Sequence, residues 1–258
     1  MKIGFIGTGT IAAAVIEGIV ADGHAIWVSE RSQDVSARLA ARFDNLRAAG
    51  NQGVVDAAEV ICLGLMADAA AEVLGALNFR ADQVVFSFMA GVSLADVQAM
   101  VAPARAEAIV IPFPAIARGG SPVLCCPRSD LAEAVFGAGN QVIALTSEDD
   151  LAAYMAVQAL LSPVVKLLAE GAAWAAERTG DAAGAERFLR LLVGGGLLAE
   201  PIDQDGVLAA MLDALNTPGG LNAELREHLG AAGTYDALRA GLDRLEARTK
   251  GDETGETT

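Results

Sequence analysis

Three observations predict an α/β protein, with a mostly parallel N-terminal sheet flanked by helices and an all-helical C-terminal part. Short β-branched runs alternate with alanine-rich stretches up to about residue 145. Five of the eight prolines then cluster between Pro103 and Pro127. Beyond Glu148 no convincing strand remains.

Taken in order, the runs 2–6, 25–29, 60–65, 83–88 and 108–111 read as strands. Helical patterns fit 11–21, 34–43, 68–77 and 94–101, and this alternation implies parallel strands joined by crossovers. The runs 123–126 and 141–145 are candidates to extend the sheet. Each of Pro103, Pro112, Pro114, Pro122 and Pro127 fixes φ and lacks a backbone donor, so this stretch reads as partly a rigid, irregular connection. Glu148-Asp149-Asp150 opens the helical region. There Leu221, Leu225 and Leu229 recur every four residues, and Leu238, Leu242 and Leu245 follow at four and three. The expected domains are 1–147 and 148–250, followed by a polar, disordered tail at 251–258.

With 258 residues, 53% of them hydrophobic, the chain has material for one large or two modest cores. The formal charge of −15 opposes nucleic acid and anionic membranes as partners. Cys62, Cys125 and Cys126 suit neither a disulfide framework nor a metal site, and they are expected as small buried hydrophobes in a reducing, cytoplasmic compartment. The apolar stretch 3–20 imitates a signal peptide, but Gly4, Gly7, Gly9 and Glu17 interrupt it. No other segment offers about twenty uninterrupted apolar residues, so no membrane span is expected.

Gly7-Thr8-Gly9-Thr10-Ile11-Ala12 follows the first strand and opens the first helix. The first glycine allows the tight turn, the second lets the backbone approach a pyrophosphate, and Ala12 takes the small helix-packing position. The helix start then offers free N–H groups to phosphate. A dinucleotide is the expected ligand, and the unit is Rossmann-like. After the second strand the chemistry points two ways. Glu30 suits the ribose hydroxyls of NAD, whereas Ser29, Arg31 and Ser32 suit the 2′-phosphate of NADP. NADP is the expected cofactor, with NAD as the alternative.

Met89-Ala90-Gly91-Val92-Ser93-Leu94, Thr217-Pro218-Gly219-Gly220 and the opening Ile3-Gly4-Phe5-Ile6-Gly7-Thr8-Gly9 together resemble the pyrroline-5-carboxylate reductase family over nearly the whole chain. Ser162-Pro163 falls where that family has a Ser-Pro opening its long central helix. Some positions differ. Leu65-Met66-Ala67 stands for the family's Val-Lys-Pro, Ile111-Pro112-Phe113-Pro114 for its Met-Pro-Asn-Thr-Pro, and Leu221-Asn222 follows Gly220 in place of its threonines. The resemblance implies a reductase of a small cyclic imino acid, 1-pyrroline-5-carboxylate, using NAD(P)H in proline synthesis. It implies Met66 and Ala90 beside the cofactor and Pro112 and Phe113 beside the substrate. It also implies a homodimer, or a higher homo-oligomer, with interleaved C-terminal helices.

Thr217 reads as an N-cap with Pro218 at the first helical position, which leaves the N–H groups of Gly219 and Gly220 open to a substrate carboxylate. Leu221 and Asn222 complete that site, and Asn222 with Thr217 are the candidate catalytic residues. An iminium is already electrophilic, so positioning supplies much of the rate and no strong protein acid is required. His24 and His228 are expected in solvent. Lys166, the only lysine between Lys2 and Lys250, gives a second enzyme reading, a β-hydroxyacid dehydrogenase. A non-catalytic NADP-binding homologue is the third.

Overall fold

The computed structural model describes residues 1–30 and 33–250; Arg31, Ser32 and the expected tail at 251–258 lie outside the described residues. The chain divides into two compact units, Met1–Ala152 and Ala153–Thr258.

The first unit is built on one eight-stranded sheet. Its strands are β1 (Lys2–Ile6), β2 (Ala25–Ser29), β3 (Leu46–Ala49), β4 (Val60–Leu63), β5 (Val84–Ser87), β6 (Arg105–Pro112), β7 (Pro122–Cys126) and β8 (Gln141–Ala144). Their order in space is β3-β2-β1-β4-β5-β6-β7-β8. Helices α1 (Thr10–Ile19), α2 (Gln33–Arg42), α3 (Asn51–Ala57), α4 (Ala67–Gly75), α5 (Leu94–Val101) and α6 (Asp130–Phe136) alternate with the strands, and α7 (Glu148–Val157) follows β8. The α/β class is as predicted, and both late runs do extend the sheet.

One pairing departs from the alternation rule. β6 and β7 are antiparallel, with Val110 opposite Cys125. Only a 3-10 turn, Pro114–Arg118, lies between them, and a parallel pair needs a crossover of roughly a dozen residues or more. The proline-rich connection is therefore a corner rather than a crossover. β3, α3 and α6 lie outside the predicted elements.

Burial follows the two-residue period of the strands. On one face Ile3 and Phe5 of β1 join Ile16, Phe86 and Phe136 in a core, with Phe86 and Phe136 edge-on at 5.7 Å. On the other, Ile6 joins Ile61, Leu63, Val85 and Val97. The strand order reverses between β1 and β4, since β2 and β3 lie on one side of β1 while β4 and β5 lie on the other. In open α/β sheets a crevice for ligands forms at that reversal, beyond the C-terminal strand ends.

The second unit holds α8 (Leu161–Thr179), α9 (Ala182–Leu198), α10 (Val207–Ala214), α11 (Leu221–Ala231) and α12 (Thr234–Lys250). Gly180, at φ 72°, ends α8, and Asp181 accepts from the Gly184 N–H at 2.8 Å to start α9. No residue of α8, α9, α10 or α12 is buried. The helical run Glu148–Thr179 is, by length and composition, long and apolar enough to cross a membrane. It consists of α7 and α8 joined through the 3-10 turn Gln158–Leu160, and Lys166 and Glu170 interrupt its apolar sequence.

Candidate functional site: the glycine turn and the start of α11

The turn after β1 is shaped by close backbone approach. Gly7 has φ 90°, and a Cβ there would lie 2.5 Å from the carbonyl oxygen of Gly64. Only glycine fits. The Gly7 N–H donates to Ser29 Oγ at 2.9 Å, and Thr8 Oγ1 donates to the Ser29 carbonyl at 3.1 Å. From the other side, the Gly64 N–H donates to the Ile6 carbonyl at 2.8 Å. The ends of β1, β2 and β4 are thus tied together at the reversal point. Ser29 and Thr8 are buried, which makes these bonds costly to lose. Ser29, expected beside the cofactor, serves here as the hydrogen-bonded support of the turn.

Gly9 caps α1 without a side-chain bond, and the first turn of α1 carries no acidic residue. The Ala13 N–H is the first to bond within the helix, to the Gly9 carbonyl. The amides of Thr10, Ile11 and Ala12 therefore lack helical partners and form the positive end of the helix dipole. A Cβ on Gly9 would meet nothing within 4 Å, so the backbone is open to a bulky anion. Ala12 is buried, and a Cβ on Gly64 would lie 3.2 Å from its Cβ. A larger residue at position 12 would lift the helix off β4. A cleft of about 380 Å³ opens here, lined by Thr8, Gly9, Thr10, Ala13, Ala14, Glu17, Val35 and Arg38. These features fit a pyrophosphate-bearing dinucleotide.

The same sheet edge carries the other expected contacts. Met66 is 75% exposed and caps α4 just beyond β4. Ala90 is exposed in the loop after β5, where Gly91 takes φ 79°. Pro112 ends β6 and is buried, while half-buried Phe113 begins the 3-10 turn. Because β1, β4, β5 and β6 run parallel, all four loops leave the same end of the sheet. The sequence reading did not single out Arg38, because a lone arginine on a polar helix face carries no motif.

In the second unit, Thr217 does not cap a helix. Thr217-Pro218-Gly219-Gly220 is a turn closed by the Gly220 N–H on the Thr217 carbonyl at 2.8 Å, with Gly219 at φ 69°. Proline followed by a glycine of positive φ favours this turn over proline at a helix start. The cap of α11 is Gly220, and the Glu224 N–H bonds its carbonyl at 3.1 Å. The unpaired amides are therefore those of Leu221, Asn222 and Ala223, and Asn222 itself lies within the first turn. Leu221 is 85% exposed and Asn222 is also exposed. Arg226 braces the turn by donating to Asn216 Oδ1 at 2.6 Å.

Lys166 pairs with Glu170 one helical turn on, an interaction that holds the Glu170 carboxyl below its usual range. That is a surface ion pair, and it gives the hydroxyacid dehydrogenase reading no support. His228 is exposed, as expected, but His24 is only 7% exposed. It is buried because it precedes β2, where Ala25 already bonds the Met1 carbonyl. Burial lowers its pKa, the nearby amino terminus lowers it further, and Asp22 opposes both. The three cysteines are free and buried. Burial raises the Cys125 thiol to about 11 and pushes Cys62 higher still, so neither supplies a thiolate near neutral pH.

Comparison with known proteins agrees with this geometry. Residues 2–91 match the family model described as NADP oxidoreductase, coenzyme F420-dependent. The chain is 36% identical over 101 residues to the pyrroline-5-carboxylate reductase of Escherichia coli (strain K12). That match spans 36% of this chain and 37% of the relative's length. Over whole chains, the fold matches 1-pyrroline-5-carboxylate reductase from Streptococcus pyogenes with a TM-score of 0.78, at 21% identity and coverage of 97% and 98%. The pyrroline carboxylate reductase of Plasmodium falciparum, a structure with NADP bound, also gives 0.78, at 16% identity and 97% coverage of both chains. Local sequence over about the first hundred residues and the whole-chain fold are both similar to pyrroline-5-carboxylate reductases, and the chain spans little more than a third of the length of the curated relative it matches.

Proposed function

We propose that the chain is an NADPH-dependent reductase that converts 1-pyrroline-5-carboxylate to proline. The observation that carries this reading is the turn of Gly7 and Gly9 at the sheet reversal, closed onto Gly64 and open above the start of α1. When bound, the cofactor supplies a hydride to the carbon of the C=N bond, while the ring nitrogen takes a proton. The backbone of Gly7, Thr8, Gly9, Thr10 and Ile11 holds the pyrophosphate, and Met66 and Ala90 border it along the strand ends. Arg31 and Ser32 are assigned to the adenosine end. The cofactor borne by the Plasmodium relative supports NADP over NAD.

The substrate carboxylate is assigned to the start of α11. There Gly219 and Gly220 keep the approach free of side chains, and the amides of Leu221 and Asn222 are unpaired within the helix. Asn222 and Thr217 are the polar groups offered to the ring. The exposed apolar helices of the second unit support a homodimer, and the buried free thiols support a reducing, cytoplasmic setting.

The test is consumption of NADPH with pyrroline-5-carboxylate, followed by absorbance. Turnover that depends on the imine is expected. Its absence, with NADPH still bound, would identify a non-catalytic binder. A Gly220→Val variant, whose side chain would crowd the Thr217 carbonyl, is expected to raise KM while NADPH affinity stays within about twofold. Normal turnover by this variant would move the substrate elsewhere.

A further inference from the structure

We infer that Arg38 of α2 is the cofactor-discriminating cation of the cleft, reading the 2′-phosphate of NADPH from the second turn of the helix. The inference rests on the dinucleotide reading of the glycine turn. Arg38 lines the same cleft as Thr8, Gly9 and Thr10. Side chains on a helix lean toward its N-terminus, so an arginine in the second turn of α2 reaches back toward the end of β2. That is where the adenosine ribose belongs in this fold.

The charges of the cleft select Arg38 for this task. Glu17 also lines the cleft, but its carboxylate is engaged by Arg42 at 2.9 Å. Glu17 and Arg42 thus neutralise each other across α1 and α2. Among the described residues Arg38 has no hydrogen-bond or ion-pair partner, and its side chain is exposed. An unpaired guanidinium keeps its forked donor set for a phosphate, which it binds in bidentate fashion. NADH offers a hydroxyl at the same place and gains little from a full positive charge.

Binding of NADPH and NADH to the full chain, measured by calorimetry without substrate, tests this directly. Arg38→Gln is expected to weaken NADPH at least about tenfold and NADH by less than about twofold, since one tenfold step corresponds to about 1.4 kcal/mol. Arg38→Lys should recover part of the loss. As a smaller probe, 2′,5′-ADP should lose affinity in Arg38→Gln, whereas 5′-AMP should not. Equal losses for both dinucleotides, or no loss for either, would overturn the role of Arg38 and leave the dinucleotide site standing. Failure of the unmutated chain to bind either dinucleotide would overturn the site itself.

Discussion

In Met1–Ala152, helix α1 carries Val15, Ile16 and Ile19 fully buried against the sheet, whereas in Ala153–Thr258, helix α9 leaves Phe188, Leu191 and Leu192 exposed at 62%, 69% and 57%. Both helices are apolar on one face. They differ in whether the chain provides the surface that covers it. The sheet presents two cores, one covering α1 and the other covering α3, α4 and α5. The helical unit offers its own helices little to bury against: a groove of about 500 Å³ between α8 and α9 is lined by Val165, Leu168, Ala172 and Leu189 and remains open. An apolar stripe therefore marks a need for contact and does not say which chain meets it. The comparison also bears on the run Glu148–Thr179, whose exposed apolar residues are the ones the proposed dimer would cover.

Matched substitutions in the two units should separate sharply. Ile16→Asp places an unpaired charge in the first core and is expected to cost about 3–5 kcal/mol, enough to lose the cooperative unfolding transition seen by circular dichroism. Phe188→Asp with Leu192→Asp, one turn apart on α9, should instead keep the helical signal and abolish the dimer in sedimentation. A dimer that survives the pair would remove the second unit from the interface. Gly18→Ala is next in size, because its Cβ would lie 2.4 Å from the Ile116 carbonyl oxygen; a cost of about 1–3 kcal/mol should appear as a lowered Tm. Ser29→Ala leaves the Gly7 N–H without its partner and should cost a similar or slightly smaller amount, about 1–3 kcal/mol, with weakened NADPH binding alongside.

The smallest effect concerns acid. His24 is buried with Nε2 lacking a hydrogen-bond partner, and its pKa is lowered below the ordinary 6.5. The unfolded chain therefore takes up this proton first, so stability falls as pH drops from 6.5 through the folded value and is unaffected above. His24→Gln should flatten that part of a stability profile measured by urea unfolding. A profile identical to that of the unmutated chain would show that another group carries the acid sensitivity.

The first unit was legible where pattern and chemistry coincide. β1, β2 and α5 fall on their predicted residues because β-branched runs and the Ser93 cap of α5 mark their limits. β3 was not legible: Leu-Arg-Ala-Ala has no β-branched residue and lies at the sheet edge, where pairing to β2 alone holds it. α6 is two turns long, too short for a periodic stripe, although Ser129 caps it. At the site, the glycine spacing disclosed the turn, but the tie from Gly7 to Ser29 joins residues 22 apart and leaves no local mark. The start of α11 was misplaced because Pro-Gly serves two backbone programmes, and sequence alone does not rank them. Arg38 went unseen for the same reason that most single charges do, since its meaning comes from Arg42 having taken Glu17.

The contact between Gly18 and Ile116 has a mechanical side. The carbonyl of Ile116 sits where a side chain of α1 would otherwise project, so at Gly18 α1 and the 3-10 turn after β6 touch backbone to backbone. Methyl groups and longer chains act as springs that absorb small displacements; two bare backbones do not. The glycine turn heads one of these pieces and Phe113 the other. The contact thus sets how closely α1 and the turn that follows Phe113 approach, and with it a spacing within the proposed reaction site, much as a gauge block would.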